Sequence, residues 1–182
     1  MGELRLSVES WLYTNCFTIE MKINKKKLVS LITKALQLEL NQAISAANEA
    51  HAAAVDDQSV AETQYDTLAI EASYLAEGQS RRVNEIQKAI KDYQTLKLID
   101  FDENSSITLT ALVQLSHDTA SKNWFFIGPA AGGFHCKLAN QKITVITPQS
   151  PMGIALLDKY QEDTIHVLMG NNQLNDYIAL VQ

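Results

Sequence analysis

The chain has 182 residues, 46% of them hydrophobic and 20% charged, with 15 basic and 21 acidic side chains and a formal net charge of −6. That is the composition of a folded chain, one domain or two small ones, and not of a disordered one. It also argues against a broad basic face for duplex DNA, against a disulfide framework built on Cys16 and Cys136 alone, and against a membrane span, which needs roughly 20 apolar residues in a row.

Residues 1–20 are a possible N-terminal extension. Glu3, Arg5, Glu9 and Glu20 interrupt them, so they do not form a signal peptide, and Met21-Lys-Ile-Asn reads like a natural start. They are either a segment with little order of its own or a short docking segment built on Trp11, Tyr13 and Phe17.

Residues 21–97 form the first unit. From Lys25 to Leu96 there is one glycine and no proline, in a background of Ala, Leu, Gln, Glu and Lys, all good helix formers. Apolar side chains recur in steps of three and four. Leu36, Leu40, Ala43, Ala47, Ala50 and Ala54 make one series; Leu68, Ala72, Leu75, Val83, Ile86, Ile90 and Tyr93 make the second. That spacing predicts two helices in an antiparallel coiled-coil hairpin, spanning about 45 Å if each has about 30 residues.

The connection AVDDQSVAETQYD carries Asp56, Asp57 and Glu62 without a glycine or proline. Ser59-Val60-Ala61-Glu62 has the form of a capping box, which gives Glu62 a structural reading. Asp56 and Asp57 follow the first helix, where its dipole disfavours anions, and they read either as a solvated turn or as carboxylates placed for chemistry. Arg81 and Arg82, near the middle of the hairpin, are weak candidates for nucleic-acid contact. Lys25, Lys26 and Lys27, with Lys88, Lys91 and Lys97, would gather at the hairpin base as a basic end, read first as a solvated face.

A polar, acidic linker near KLIDFDENSS leads to the second unit, residues 105–182. Its runs SITLTALVQL, NWFFIG, KITVIT, TIHVLM and DYIALV are short, β-branched and aromatic, as strands are. Trp124, Phe125 and Phe126 suit a core better than an aromatic pocket. His135-Cys136 lacks further ligands at metal spacing, and Cys136 reads as a small core residue. Ser150 and Pro151 predict the N-cap and first position of one short helix. The fold class expected is therefore α+β, a helical hairpin followed by a small β-rich domain.

The segment ITVITPQSPMGIALLDKYQEDTIHV resembles the GreA/GreB family of bacterial transcription elongation factors, through Ser150, Pro151, Gly153, Ala155, Leu156 and Leu157 in a strand–helix–strand frame. A long helical hairpin before that domain is also the family's architecture, and the resemblance runs from about Met21 to the end. It implies an FKBP-like C-terminal domain that docks on bacterial RNA polymerase through Ser150, Pro151 and Gly153, and a hairpin inserted in the secondary channel. It further implies tip carboxylates, here Asp57, Glu62 and Asp56, that help the polymerase cleave backtracked RNA. Asp57 and Glu62 would share a Mg²⁺ with the polymerase, with no cofactor held stably by the chain alone. The protein would be a monomeric, cytoplasmic accessory factor and not an enzyme, meeting nascent RNA and DNA only within the elongation complex. The tip departs from the family pattern. Four residues separate Asp57 from Glu62 where the family has two, and Ala69 stands near the place of a common arginine. The alternatives are a regulator that occupies the channel without stimulating cleavage, and a coiled-coil chaperone or adaptor with an FKBP-like module.

Overall fold

The computed structural model describes residues 22–55, 67–120, 122–170 and 172–182. Two long helices come first, α1 (Lys25–Val55) and α2 (Thr67–Gln94). Asn24 starts α1: its side-chain oxygen accepts the Lys27 amide at 2.9 Å and its carbonyl takes the first helical bond, from Leu28. The start of α1 lies beside the chain leaving α2, where Lys22 pairs with Asp100 at 2.9 Å, so the helices run in opposite directions.

Six strands follow: β1 (Leu112–Leu115), β2 (Asn123–Ile127), β3 (His135–Leu138), β4 (Gln141–Ile146), β5 (Thr164–Met169) and β6 (Asn172–Val181), with a short helix α3 (Pro151–Leu156) between β4 and β5. They form one sheet in the order β3-β4-β2-β1-β6-β5. The β2–β4 pair is parallel and the others are antiparallel. The β3–β4 hairpin turns on Ala139 and Asn140, both at positive φ (51° and 63°), the two-residue turn whose twist matches its strands.

Alternation along the strands divides the core in two. Leu112, Trp124, Phe126, Leu138, Ile143 and Val145 face the hairpin and pack with Leu28, Ile32, Leu36, Ile86, Ile90 and Tyr93. Val113, Leu115, Ile127, Ile146, Ile165, Val167, Ile178 and Val181 pack on the other face with Leu156 of α3. Ile178 and Val181 share that face although three apart, because β6 bulges at Ala179: Gln114 pairs with Leu180 and Leu115 with Ile178.

The hairpin base is locked to the sheet. The Tyr93 hydroxyl donates to the Ala130 carbonyl at 2.7 Å, and burial pushes its pKa well above the usual tyrosine range. Gly128 makes room for it, since a Cβ there would lie 2.3 Å from the Tyr93 oxygen. Gln182 exchanges backbone bonds with Leu112 and accepts the buried Ile23 amide at 3.0 Å.

Several expectations change in detail. Of SITLTALVQL only the last four residues form a strand; Thr110 sits at φ 76° and its hydroxyl accepts the Ile99 amide at 3.1 Å, so the chain turns there. HCKL is a strand that the pattern did not mark. Cys136 is half-buried rather than a full core residue. Leu75, placed in the helical seam by its spacing, is 56% exposed.

Candidate functional site

The tip residues Asp56, Asp57 and Glu62, the capping box at Ser59 and the proposed Mg²⁺ ligands all fall between α1 and α2, outside the described residues. The buried ladder Leu28, Ile32, Leu36, Leu40, Ala43, Ala50 carries α1 outward from the sheet, and its outer members are small, letting the partner helix approach closely. α1 ends at Val55 and α2 begins at Thr67. The donor set Asp56, Asp57 and Glu62 is all carboxylate oxygen, the ligand chemistry Mg²⁺ takes. Among the described residues no group of three or more His, Cys, Asp or Glu side chains is placed to hold a metal.

The segment around Ser150 has a defined local architecture. Ser150 holds an extended backbone (φ −71°, ψ 152°), its hydroxyl oxygen accepts the Gly153 amide at 3.0 Å, and the same hydroxyl donates to the Thr147 carbonyl at 2.7 Å. Pro151, with its φ already helical and no amide to satisfy, takes the first helical position. Gly153 is buried against the incoming chain: a Cβ would stand 2.0 Å from the Thr147 oxygen. Leu156 anchors the helix in the second core cluster at 0% exposure. After it Asp158, at positive φ, and Lys159 exchange backbone bonds with Ile107.

Of the three expected docking residues, Ser150 and Gly153 thus spend their polar and steric features on shaping α3, and Pro151 faces solvent. The helix turns outward one residue that sequence reasoning left out, Ile154, which is 67% exposed. The signal was available: with Gly153 and Leu156 inward, the 3.6-residue period puts Ile154 on the outer side.

Arg81 and Arg82 are not free cations. Arg81 pairs with Glu77 at 3.1 Å one turn away. Arg82 reaches across the hairpin to Glu39 and also lies 3.6 Å from Glu85. All but the half-buried Glu39 are exposed, so each pair is weak, and a phosphate would still have to displace a carboxylate. Arg82, Glu39 and Glu85 rim a cleft of about 460 Å³ whose floor includes Leu36, Ile86 and Phe134.

The basic end of the hairpin is likewise not uniform. Lys25 is only 6% exposed; its ammonium donates to the Ile99 carbonyl at 2.6 Å and sits 4.6 Å from the Phe101 ring centroid. Burial pushes its pKa down to about 8, with Asp100 pulling the other way. Lys25 therefore fastens the linker to the hairpin, while Lys26 and Lys27 point outward.

No protein-family model matches the chain, and no curated protein matches it. Among solved structures it is similar to the GreA factor homolog 1 (Gfh1) protein of Thermus thermophilus at 15% identity and a TM-score of 0.33, over 82% of this chain and 94% of that one. A structure described as the transcription factor Gfh1 gives 17% identity and a TM-score of 0.32, over 82% and 92% of the two chains. Thermus aquaticus Gfh1 gives 17% and 0.29, over 81% and 92%. Identity and superposition at this level carry no functional argument, which rests instead on the chain's own residues.

Proposed function

We propose that this chain is a transcription elongation factor of Gre type, which docks on bacterial RNA polymerase with an FKBP-like C-terminal domain and inserts its helical hairpin into the secondary channel. One observation supports this reading above the others. The segment that resembles the family folds as a complete β4–α3–β5 unit, and it belongs to the domain onto which the hairpin base is locked. A rod fixed at one end to a docking module holds its far end at a set distance, which is what delivery of a tip to a remote site demands. α1 alone has 31 residues, about 46 Å at about 1.5 Å per residue.

In this reading Pro151 and Ile154 present the docking surface that Ser150 and Gly153 shape. At the other end Asp56, Asp57 and Glu62 supply hard oxygen ligands. A Mg²⁺ shared there with the polymerase would activate water and offset charge on the phosphate being cleaved. The protein is then an accessory factor, cytoplasmic and monomeric, and the polymerase is the enzyme.

The test is transcript cleavage by a stalled, backtracked elongation complex, with the parent protein and with Asp57→Ala/Glu62→Ala. The parent accelerates cleavage, and the double variant binds polymerase without accelerating it. A parent that binds and leaves the rate unchanged selects the second reading, a channel-occupying regulator without cleavage activity. Two observations favour that reading: the wider Asp57-to-Glu62 spacing, and alanine at position 69.

A further inference from the structure

We propose that the open face of the β3–β4–β2 end of the sheet binds single-stranded nucleic acid, RNA or DNA. Its sequence basis is a charge asymmetry. In a chain of net charge −6 there is no Asp or Glu between Asp118 and Asp158, while Lys122, Lys137, Lys142 and His135 all fall in that interval. The sheet then places His135, Lys137 and Lys142 on one side, with Lys122 just before β2. Cys136, Leu138, Ile143, Trp124 and Phe126 pack toward the hairpin, so alternation turns His135, Lys137, Lys142, Thr144, Asn123 and Phe125 to the other face.

The register arranges these side chains in two rows. Lys137 stands directly opposite Lys142, which is beside Asn123 on β2, and the Lys142 amide donates to the Lys122 carbonyl at 2.8 Å. Like charges directly opposed across a strand pair destabilise a sheet, so the pairing is a cost that an anionic ligand would relieve. All three lysines are exposed, and no described carboxylate forms an ion pair with them, unlike Lys22, Arg81 and Arg82. Asp118 accepts from the Asn123 side chain at 2.9 Å.

One pleat step along lies the second row, His135 opposite Thr144, with Phe125 on the far side of Thr144. His135 is exposed, whereas Phe125 is half-buried against the second core cluster. A cationic row for phosphates beside an exposed ring on which a base can stack is an arrangement that single strands fit. A duplex keeps its bases from that ring, and an acidic peptide would use only the lysines.

The proposal is independent of the polymerase reading and is tested on the full chain by fluorescence anisotropy, with oligouridylate and oligothymidylate probes of about 12 nucleotides. Competitors are the corresponding duplex and polyglutamate. Lys137→Gln/Lys142→Gln is expected to weaken binding about tenfold and to flatten the salt dependence by about 1.4 in log–log slope, two phosphate contacts at about 0.7 each. Lys26→Gln/Lys27→Gln, the same charge change at the hairpin base, leaves affinity within about twofold if the site is local. His135→Ala weakens binding while the salt slope stays as it was. Thermal unfolding of the sheet variant, unchanged or higher, shows that it is folded. The proposal is overturned if the parent binds neither single strand, or if Lys26→Gln/Lys27→Gln loses as much as the sheet variant. It is also overturned if polyglutamate or duplex competes as well as the single strand, or if His135→Ala has no effect.

Discussion

The two ends of the helical hairpin use the same helix formers and reach opposite states. At the base Leu28 and Ile32 are 0% exposed, held between α2 and the sheet. Toward the tip Tyr74 is 70% exposed and Leu75 56%, and the buried positions on α1 shrink to alanine. The base is an interface with a second layer behind it; beyond it two helices have only each other, and two cylinders bury one stripe apiece. The difference teaches where stability lies. The sheet and the hairpin base carry most of the burial, and the described outer part of the hairpin has little.

The largest effect should come from the lock itself. Gly128→Ala places a methyl group where the Tyr93 hydroxyl sits, forcing out the ring and its bond to Ala130, and should cost about 2 kcal/mol or more in denaturant unfolding. A cost near zero would mean that hairpin and sheet are not locked as described. A smaller, pH-dependent effect comes from Lys25. Its folded pKa lies near 8, below the unfolded value near 10.5, so the unfolded chain holds a proton that the folded chain releases across that interval. The burial penalty is fully present below pH 8 and is relieved as pH rises toward 10.5. Stability of the parent relative to Lys25→Met should therefore rise over that window in paired melts, and a flat difference would place the ammonium in water. The smallest effect is expected farthest out. Tyr74→Ala and Leu75→Ala should each change stability by less than about 0.5 kcal/mol. If either costs as much as a core truncation, the contrast between base and outer hairpin fails.

Much of this was legible in the sequence because its signals are local. The steps of three and four from Leu36 to Ala50, and from Val83 to Tyr93, are fixed by helix geometry alone, and Ser150-Pro151 offers an N-cap and a first helical residue side by side. What was not legible depends on partners. HCKL is too short, and too charged on its outer face, to look like a strand until β4 pairs with it. Thr110 ends the expected run SITLTALVQL by a left-handed turn that fits its hydroxyl to Ile99, a contact distant in sequence. Leu75 kept the period of the seam without the burial, since spacing states which side a residue takes and not whether anything stands there. At the site, Ser150 and Gly153 were found by motif, yet their atoms are engaged inward; Ile154, which no motif marked, is the side chain that α3 offers to solvent.

The proposed docking of this chain on a bacterial RNA polymerase rests on α3 and its surroundings. The most direct measurement is retention of the parent and of Ile154→Asp by immobilised core polymerase. Ile154 is exposed, so the substitution leaves the fold intact, as a melting curve would show. The parent should be retained and Ile154→Asp lost or weakened about tenfold, because it places a charge in an apolar contact. A parent that does not bind, or a variant that binds as well as the parent, would contradict it.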